Sequence, residues 1–148
     1  VKAVCAGYGR VLAEYGVAVD SRLIRCDSYD PKASWAFTRE LLSSNNPPTA
    51  IITGDDYMAV AALQAMKERG VLCPDDLSLA SFNNFNFTEY TSPSLTTFAV
   101  PFFELGRELA GLLKAIIAGE SIQSPKVLQG RLIIRQSTAA AKKRDEEV

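Results

Sequence analysis

The run Ala50-Ile51-Ile52-Thr53 is apolar and β-branched, and it stops at Gly54-Asp55-Asp56. Beyond those acids, Met58, Ala61, Ala62 and Met66 recur at helical spacing. A strand, a glycine turn and a helix start in immediate succession confine the chain to folds in which strands and helices alternate. A second junction of the same kind, Leu77-Ser78-Leu79-Ala80-Ser81-Phe82-Asn83-Asn84, follows after one helix. Open α/β sheets hold ligands in the crevice beyond the carboxyl ends of their strands. Asp and Asn at two successive strand ends therefore point to a neutral, hydroxyl-rich small molecule, whose O–H groups a carboxylate and an amide carbonyl can accept.

The alternation continues on either side. Val4, Tyr8, Val11 and Leu12 mark a helix over residues 3–15, which Gly16 can close. Arg22 to Cys26 is a short strand candidate, and Asp30-Pro31 opens a helix through Trp35, Phe37, Leu41 and Leu42, with Trp35 expected in the core. Asn45-Asn46-Pro47-Pro48 forces a break before the strand Thr49 to Thr53. A helix from Met58 to Arg69 ends at Gly70, and the turn Cys73-Pro74-Asp75-Asp76 leads into the strand Leu77 to Phe82. After a polar and aromatic loop, Leu95 to Val100 is extended and Pro101 starts the longest helix, through Phe102, Leu105, Leu109, Leu112, Leu113 and Ile116 to Gly119. Val127 to Ile134 is a last strand, and residues 139–148, with Lys142-Lys143-Arg144 beside Asp145-Glu146-Glu147, form a flexible, solvated tail. The pattern predicts a doubly wound, mainly parallel α/β sheet flanked by helices. Such a sheet ordinarily opens on a strand, so a chain that opens on a helix is expected to have been trimmed upstream.

Composition narrows the function classes. At 148 residues and 47% hydrophobic, the chain amounts to one domain with a real core. Its 16 basic and 17 acidic side chains nearly cancel, without the basic stripe of a nucleic-acid surface. No apolar run approaches the ~20 residues that span a bilayer, so no membrane role is expected. There is no histidine, which removes Ser-His-Asp and Cys-His catalysis and the usual zinc sites. Cys5, Cys26 and Cys73 fit no metal spacing and are expected to be thiols in the reducing cytoplasm. Gly7-x-Gly9 is no dinucleotide fingerprint. Asp55 and Asp56, as neighbours at a strand–helix junction, point in different directions and do not form a catalytic pair. They also come too late in the strand order for a phosphoacceptor receiver domain. We therefore expect no enzyme, no cofactor and no metal.

Taken in order, Ala6-Gly7-Tyr8, Pro48-Thr49-Ala50-Ile51, Asp55-Asp56-Tyr57-Met58-Ala59, Gly70-Val71, Pro74-Asp75-Asp76-Leu77-Ser78, Ser81-Phe82-Asn83-Asn84, Pro93-Ser94-Leu95-Thr96-Thr97, Leu105-Gly106 and Arg135-Gln136-Ser137-Thr138 resemble the lactose-repressor (LacI/GalR) family of transcriptional regulators. The likeness covers about residues 4–138, and Pro-Ser-Leu-Thr-Thr followed by a helix with Leu-Gly is its most specific piece. The resemblance implies the C-terminal part of an effector-binding core shaped like a periplasmic binding protein. In that family two α/β lobes close on an effector, commonly a sugar or nucleobase, in a homodimer whose N-terminal helix-turn-helix binds operator DNA. It further implies that residues 1–138 form the C-terminal lobe, while the helix over 101–118 belongs to the first lobe and leaves an apolar stripe to be covered. A periplasmic sugar-binding protein of a transporter shares the fold and is the alternative.

The resemblance also assigns a site. Asp55 occupies a position beside the effector, where its carboxylate can accept two hydroxyls; equally, it can cap the following helix. Asp56 is the expected N-cap. Asn83 stands where relatives carry an effector-binding Asp, and it can alternatively bond its own backbone in a loop; Asn84 is expected to be such a local turn residue. Tyr29 falls where relatives set an aromatic ring against the effector, with simple packing as the other reading. Two positions depart from the pattern: the family's effector-gripping Arg is Val4, and a polar position after Leu-Thr-Thr is Val100.

Overall fold

The computed structural model describes residues 2–26, 29–121 and 126–140. Four helices, α1 (Lys2–Glu14), α2 (Pro31–Leu42), α3 (Asp56–Glu68) and α4 (Phe102–Ile117), accompany four strands, β1 (Ala50–Ile52), β2 (Ser78–Phe82), β3 (Thr96–Ala99) and β4 (Arg131–Ile133). The sheet order is β1-β2-β3-β4. The first three strands are parallel and β4 returns antiparallel to β3, with Phe98 opposite Leu132. The expected α/β architecture with a mainly parallel sheet is therefore present.

Local chemistry sets the helix ends. Pro31 supplies the fixed φ of a first helical turn, and the Asp30 side chain accepts the Lys32 N–H in front of it. Past the end of α3, Gly70 adopts φ 69°, a conformation that a side chain would strain.

Registry divides the strands into two faces. Ile51, Leu79, Ser81, Thr97 and Ile133 share one, while Ile52, Ala80, Phe82, Phe98 and Leu132 share the other. Helix α3 lies on the first, where Ala59 and Ala62 meet Leu79 and Leu95, with Ile51, Leu63 and Cys73 around them. The alanines let the helix approach the sheet closely. Helix α2 packs on α3 in turn. Ser34 Oγ donates to the Met58 carbonyl at 2.9 Å, and the Trp35 indole and Arg39 both donate to Glu68 at 3.1 Å. Trp35 is thus half-buried in the helix pair rather than in the core, because its N–H finds its partner at the rim.

Three further expectations change. Residues 22–26 are not a strand. Ser21–Leu23 is a single 3-10 turn, drawn tight by Asp20, which accepts the Arg22 backbone N–H at 3.0 Å and its guanidinium at 2.8 Å. With those groups satisfied locally and no strand beside them among the described residues, the residues that follow make no ladder. The last strand is also shorter than expected, starting at Arg131. Finally, Cys5 and Cys26 form a disulfide instead of remaining thiols, which leaves Cys73 free. Of the expected tail 139–148, residues 141–148 lie outside the described part.

Two helices keep their apolar sides open. No residue of α4 is buried, and Leu109, Leu113 and Ile116 are all more than half exposed; Val4, Tyr8 and Val11 are exposed on α1. Among the described residues, no helix is long and apolar enough to cross a membrane.

Candidate functional site at the strand tips

The carboxyl ends of β1, β2 and β3 open side by side, and each carries a distinctive turn. After β1, the buried Thr53 hydroxyl donates to the Asp55 carbonyl at 2.9 Å and folds the backbone over Gly54. Asp55 then caps α3, with Oδ1 accepting the Met58 N–H at 2.8 Å. Its Oδ2 takes no hydrogen bond among the described residues, and the side chain is half-exposed. The Tyr29 ring lies on this turn: a Cβ at Gly54 would meet Tyr29 Cε1 at 3.0 Å. Tyr29 and Asp55, remote in the chain, thus flank one glycine.

After β2, Asn83 and Asn84 take φ of 103° and 56°. These are left-handed conformations that Asn tolerates better than most residues. The Asn83 N–H donates to the Phe98 carbonyl at 2.9 Å, while its amide side chain has no partner among the described residues. No hydrogen bond joins Asn83 to Asp55 or Tyr29; the three share a strand-end edge, not a direct contact. Asn84 behaves differently from a local turn residue. Its Oδ1 accepts from the Arg135 guanidinium at 2.9 Å, because the reversed backbone aims the amide inward at a distant cation.

Asp56 is not the N-cap, since Asp55 already fills that role. One position further on, the Asp56 side chain turns into the protein and is fully buried. Its Oδ1 accepts from Ser81 Oγ at 2.5 Å and Thr97 Oγ1 at 2.8 Å, and its Oδ2 accepts the Phe85 N–H at 2.7 Å. One carboxylate at the positive end of α3 thereby ties the helix to β2, β3 and the loop after β2. The sequence signal was available: Ser81 and Thr97 are polar residues on a face that otherwise meets α3.

The Arg135-Gln136-Ser137-Thr138 stretch completes the scaffold. Arg135 Nη1 donates to the Leu95 carbonyl at 2.8 Å and to Thr88 Oγ1 at 3.2 Å. The buried Ser137 hydroxyl donates to the Leu79 carbonyl at 2.6 Å and accepts the Thr96 N–H at 2.8 Å. Beside it, burial raises the Cys73 thiol to about 11.

Residue reasoning missed an aromatic cluster on the same edge. The Tyr57 ring is 4.9 Å from Phe87 and 5.4 Å from Phe85, and Phe85 lies parallel to Phe102 at 6.2 Å. The alternation of Phe and Asn over residues 82–87 was its only signal. Val100 faces elsewhere, lining a shallow apolar groove with Phe98, Pro101, Leu105 and Leu128. No group of three His, Cys, Asp or Glu among the described residues could hold a metal ion.

Comparison with known proteins gives this geometry a family. Residues 3–138 match the model of the periplasmic binding protein-like domain. The HTH-type transcriptional repressor CytR of Escherichia coli (strain K12) is 36% identical over 135 residues, which is 90% of this chain and 40% of that protein. The crystal structure of the Escherichia coli transcriptional repressor ascG superposes with a TM-score of 0.79 at 32% identity, covering 92% of this chain and 49% of the other. A LacI family transcriptional regulator from Enterococcus faecium with bound ribose gives 0.80 at 31% identity, covering 92% and 51%. The chain spans less than half of CytR and about half of each of these solved chains. It belongs to the periplasmic binding protein-like domain family, in the form that LacI-family regulators carry as the C-terminal part of their core.

Proposed function

We propose that this chain is the effector-sensing part of a LacI-type transcriptional regulator, and that the tips of β1 and β2 hold one side of a small, sugar-like molecule. The observation that carries the reading is the placement of Tyr29 against Gly54 beside Asp55. Asp55 Oδ2 is left for a ligand hydroxyl, the Asn83 amide has no partner among the described residues, and the ring offers a flat surface for a sugar's C–H face. The Enterococcus faecium relative that binds ribose supports this class of ligand. The transporter alternative finds no support among relatives that are named as transcriptional repressors and regulators.

In this reading a first lobe, encoded outside the present sequence, closes over the strand tips, and α4 belongs to it. The exposed stripe of Leu105, Leu109, Leu113 and Ile116 supports that placement, since so long an apolar face is unstable in water unless covered. The complete protein is a cytoplasmic homodimer with an N-terminal helix-turn-helix on operator DNA. An effector that binds the closed lobes more tightly shifts the population of dimer states, with a coupling of about 1–3 kcal/mol.

Calorimetry on the complete gene product tests the site. Asp55→Asn keeps an acceptor for the helix cap while losing the charge, and Asn83→Ala removes the amide. Each is expected to weaken sugar binding about tenfold with little change in thermal stability. Unchanged affinity in both variants rules the site out.

A further inference from the structure

Helix α1 is held to the rest of the molecule by one bond. Among the described residues, every hydrogen bond and ion pair of α1 stays within residues 2–17, as in Arg10–Glu14 and the Val17 N–H to the Leu12 carbonyl. The tether is covalent: Cys5, near the start of α1, is joined to Cys26 across 21 positions. Cys26 is exposed and Cys5 partly so, which leaves the bond open to exchange with thiols from solution. The third cysteine, Cys73, keeps its proton at neutral pH, because burial raises its thiol to about 11.

What the bond restrains is Tyr29. Three residues reach at most about 11 Å, so the position of Cys26 limits how far the Tyr29 ring can stray from Gly54. On the other side Asp30 caps α2, accepting the Lys32 N–H at 3.0 Å. The ring itself is 53% exposed, so packing alone gives it little hold. Besides the disulfide, Arg25 ties this segment to α2, with its guanidinium 3.3 Å from Glu40 and 4.5 Å over the Phe37 ring. Both partners of that ion pair are exposed, and such pairs contribute little.

We propose that Cys5 and Cys26 form a redox-responsive clasp: joined, they hold Tyr29 on the Gly54 turn, and as free thiols they release α1 and leave the ring loose. Its effect on effector affinity rests on the reading of Tyr29 as part of the site. In a reducing compartment such a bond is transient and reports redox state instead of bracing a fold. Opening takes two electrons and two protons. A thiolate of a dithiol attacks Cys26 Sγ, the S–S bond breaks, and Cys5 leaves as a thiolate that is then protonated. The second sulfur of the dithiol displaces Cys26 in turn, so the reductant ends as a disulfide. Closure runs the same exchange backwards, with a small disulfide such as oxidised glutathione accepting the electrons.

The test uses the complete gene product equilibrated with reduced or with oxidised glutathione, and peptide mapping reads the state of the pair. Fluorine NMR of protein labelled with 3-fluorotyrosine follows the ring, with its resonance assigned by Tyr29→Phe. In the oxidised form that resonance is expected to be displaced from the free-tyrosine position, and reduction should shift it towards that position. Cys5→Ser and Cys26→Ser should hold it there under both conditions. By calorimetry, reduction is expected to weaken ribose binding about threefold or more, a dependence that Cys5→Ser, Cys26→Ser and Tyr29→Ala each abolish. The clasp is overturned if mapping finds no Cys5–Cys26 bond at any glutathione ratio or if the Tyr29 resonance ignores the state of the pair. It is equally overturned if the serine variants still respond or if ribose binds both forms alike. Failure of the strand-tip reading looks different: ribose then binds neither form while the Tyr29 resonance still follows the pair, which supports the clasp and removes the sugar assignment.

Discussion

At position 56 an acidic side chain is fully buried, and among the described residues three hydrogen-bond donors replace the water it has lost. Truncation to alanine would leave those donors facing a void. Asp56→Ala is therefore expected to destabilise the fold by about 3 kcal/mol or more, measured by urea unfolding. Asp56→Asn should cost less, because the Ser81 and Thr97 hydroxyls can rotate to accept from the new amide, whereas the Phe85 N–H cannot and needs the remaining oxygen. Asp55 and Asp56 could not be told apart by composition or helix propensity, and the assignment of the cap to the second of them failed for that reason. What turns Asp56 inward is the pair of hydroxyls on β2 and β3, brought near by strand pairing rather than by chain proximity. Cys73 is a second residue whose behaviour follows from its surroundings. With its thiol raised from 9.0 to about 11, it carries on the order of a hundredfold less thiolate at neutral pH than an unshifted cysteine. Under non-reducing conditions its alkylation by iodoacetamide at pH 8 should be slower by about that factor. Because the folded form holds this proton more tightly than the unfolded chain does, its contribution to stability is complete below pH 9 and is lost as pH climbs towards 11.

Among the elements, the close approach of β4 to β3 depends on a missing side chain. A Cβ at Gly130 would lie 2.5 Å from the Ala99 carbonyl oxygen and 2.5 Å from the Phe98 ring. Gly130→Ala should cost about 1–3 kcal/mol and loosen the antiparallel pair, visible as faster amide exchange at Ala99 and Arg131. The α2–α3 interface offers a spectroscopic check, since the molecule has one tryptophan. Glu68→Ala removes the acceptor of the Trp35 indole and the partner of Arg39, so Trp35 emission should shift and stability fall by about 1 kcal/mol. The regular elements were readable from the amino acids because periodicity, Pro31 and the closing glycines are local signals. The segment after Asp20 was not, because a strand exists only where another strand receives it, and a carboxylate–guanidinium pair two residues apart organises this segment differently. The aromatic cluster was hidden for a related reason: its rings come from separate strand ends and meet only once β1, β2 and β3 are aligned.

At the scale of the whole molecule, the outer surfaces of α1 and α4 stand out as apolar faces exposed to solvent. The 148-residue chain by itself should self-associate in sedimentation experiments, and Leu109→Glu with Leu113→Glu should weaken that association while leaving the melting temperature of the sheet and α2–α3 nearly unchanged. The two neighbouring acids carry a broader consequence. One is locked inside the protein with Ser81 and Thr97, whereas the other keeps an oxygen turned outward next to exposed rings. In the proposed reading, substitutions at 57 and 83, and at 55 where the cap acceptor is kept, change what is held at the strand tips with little penalty to folding, as long as 56, 81 and 97 stay as they are. An architecture wired in this way keeps the groups that hold it together apart from the groups it turns to solvent.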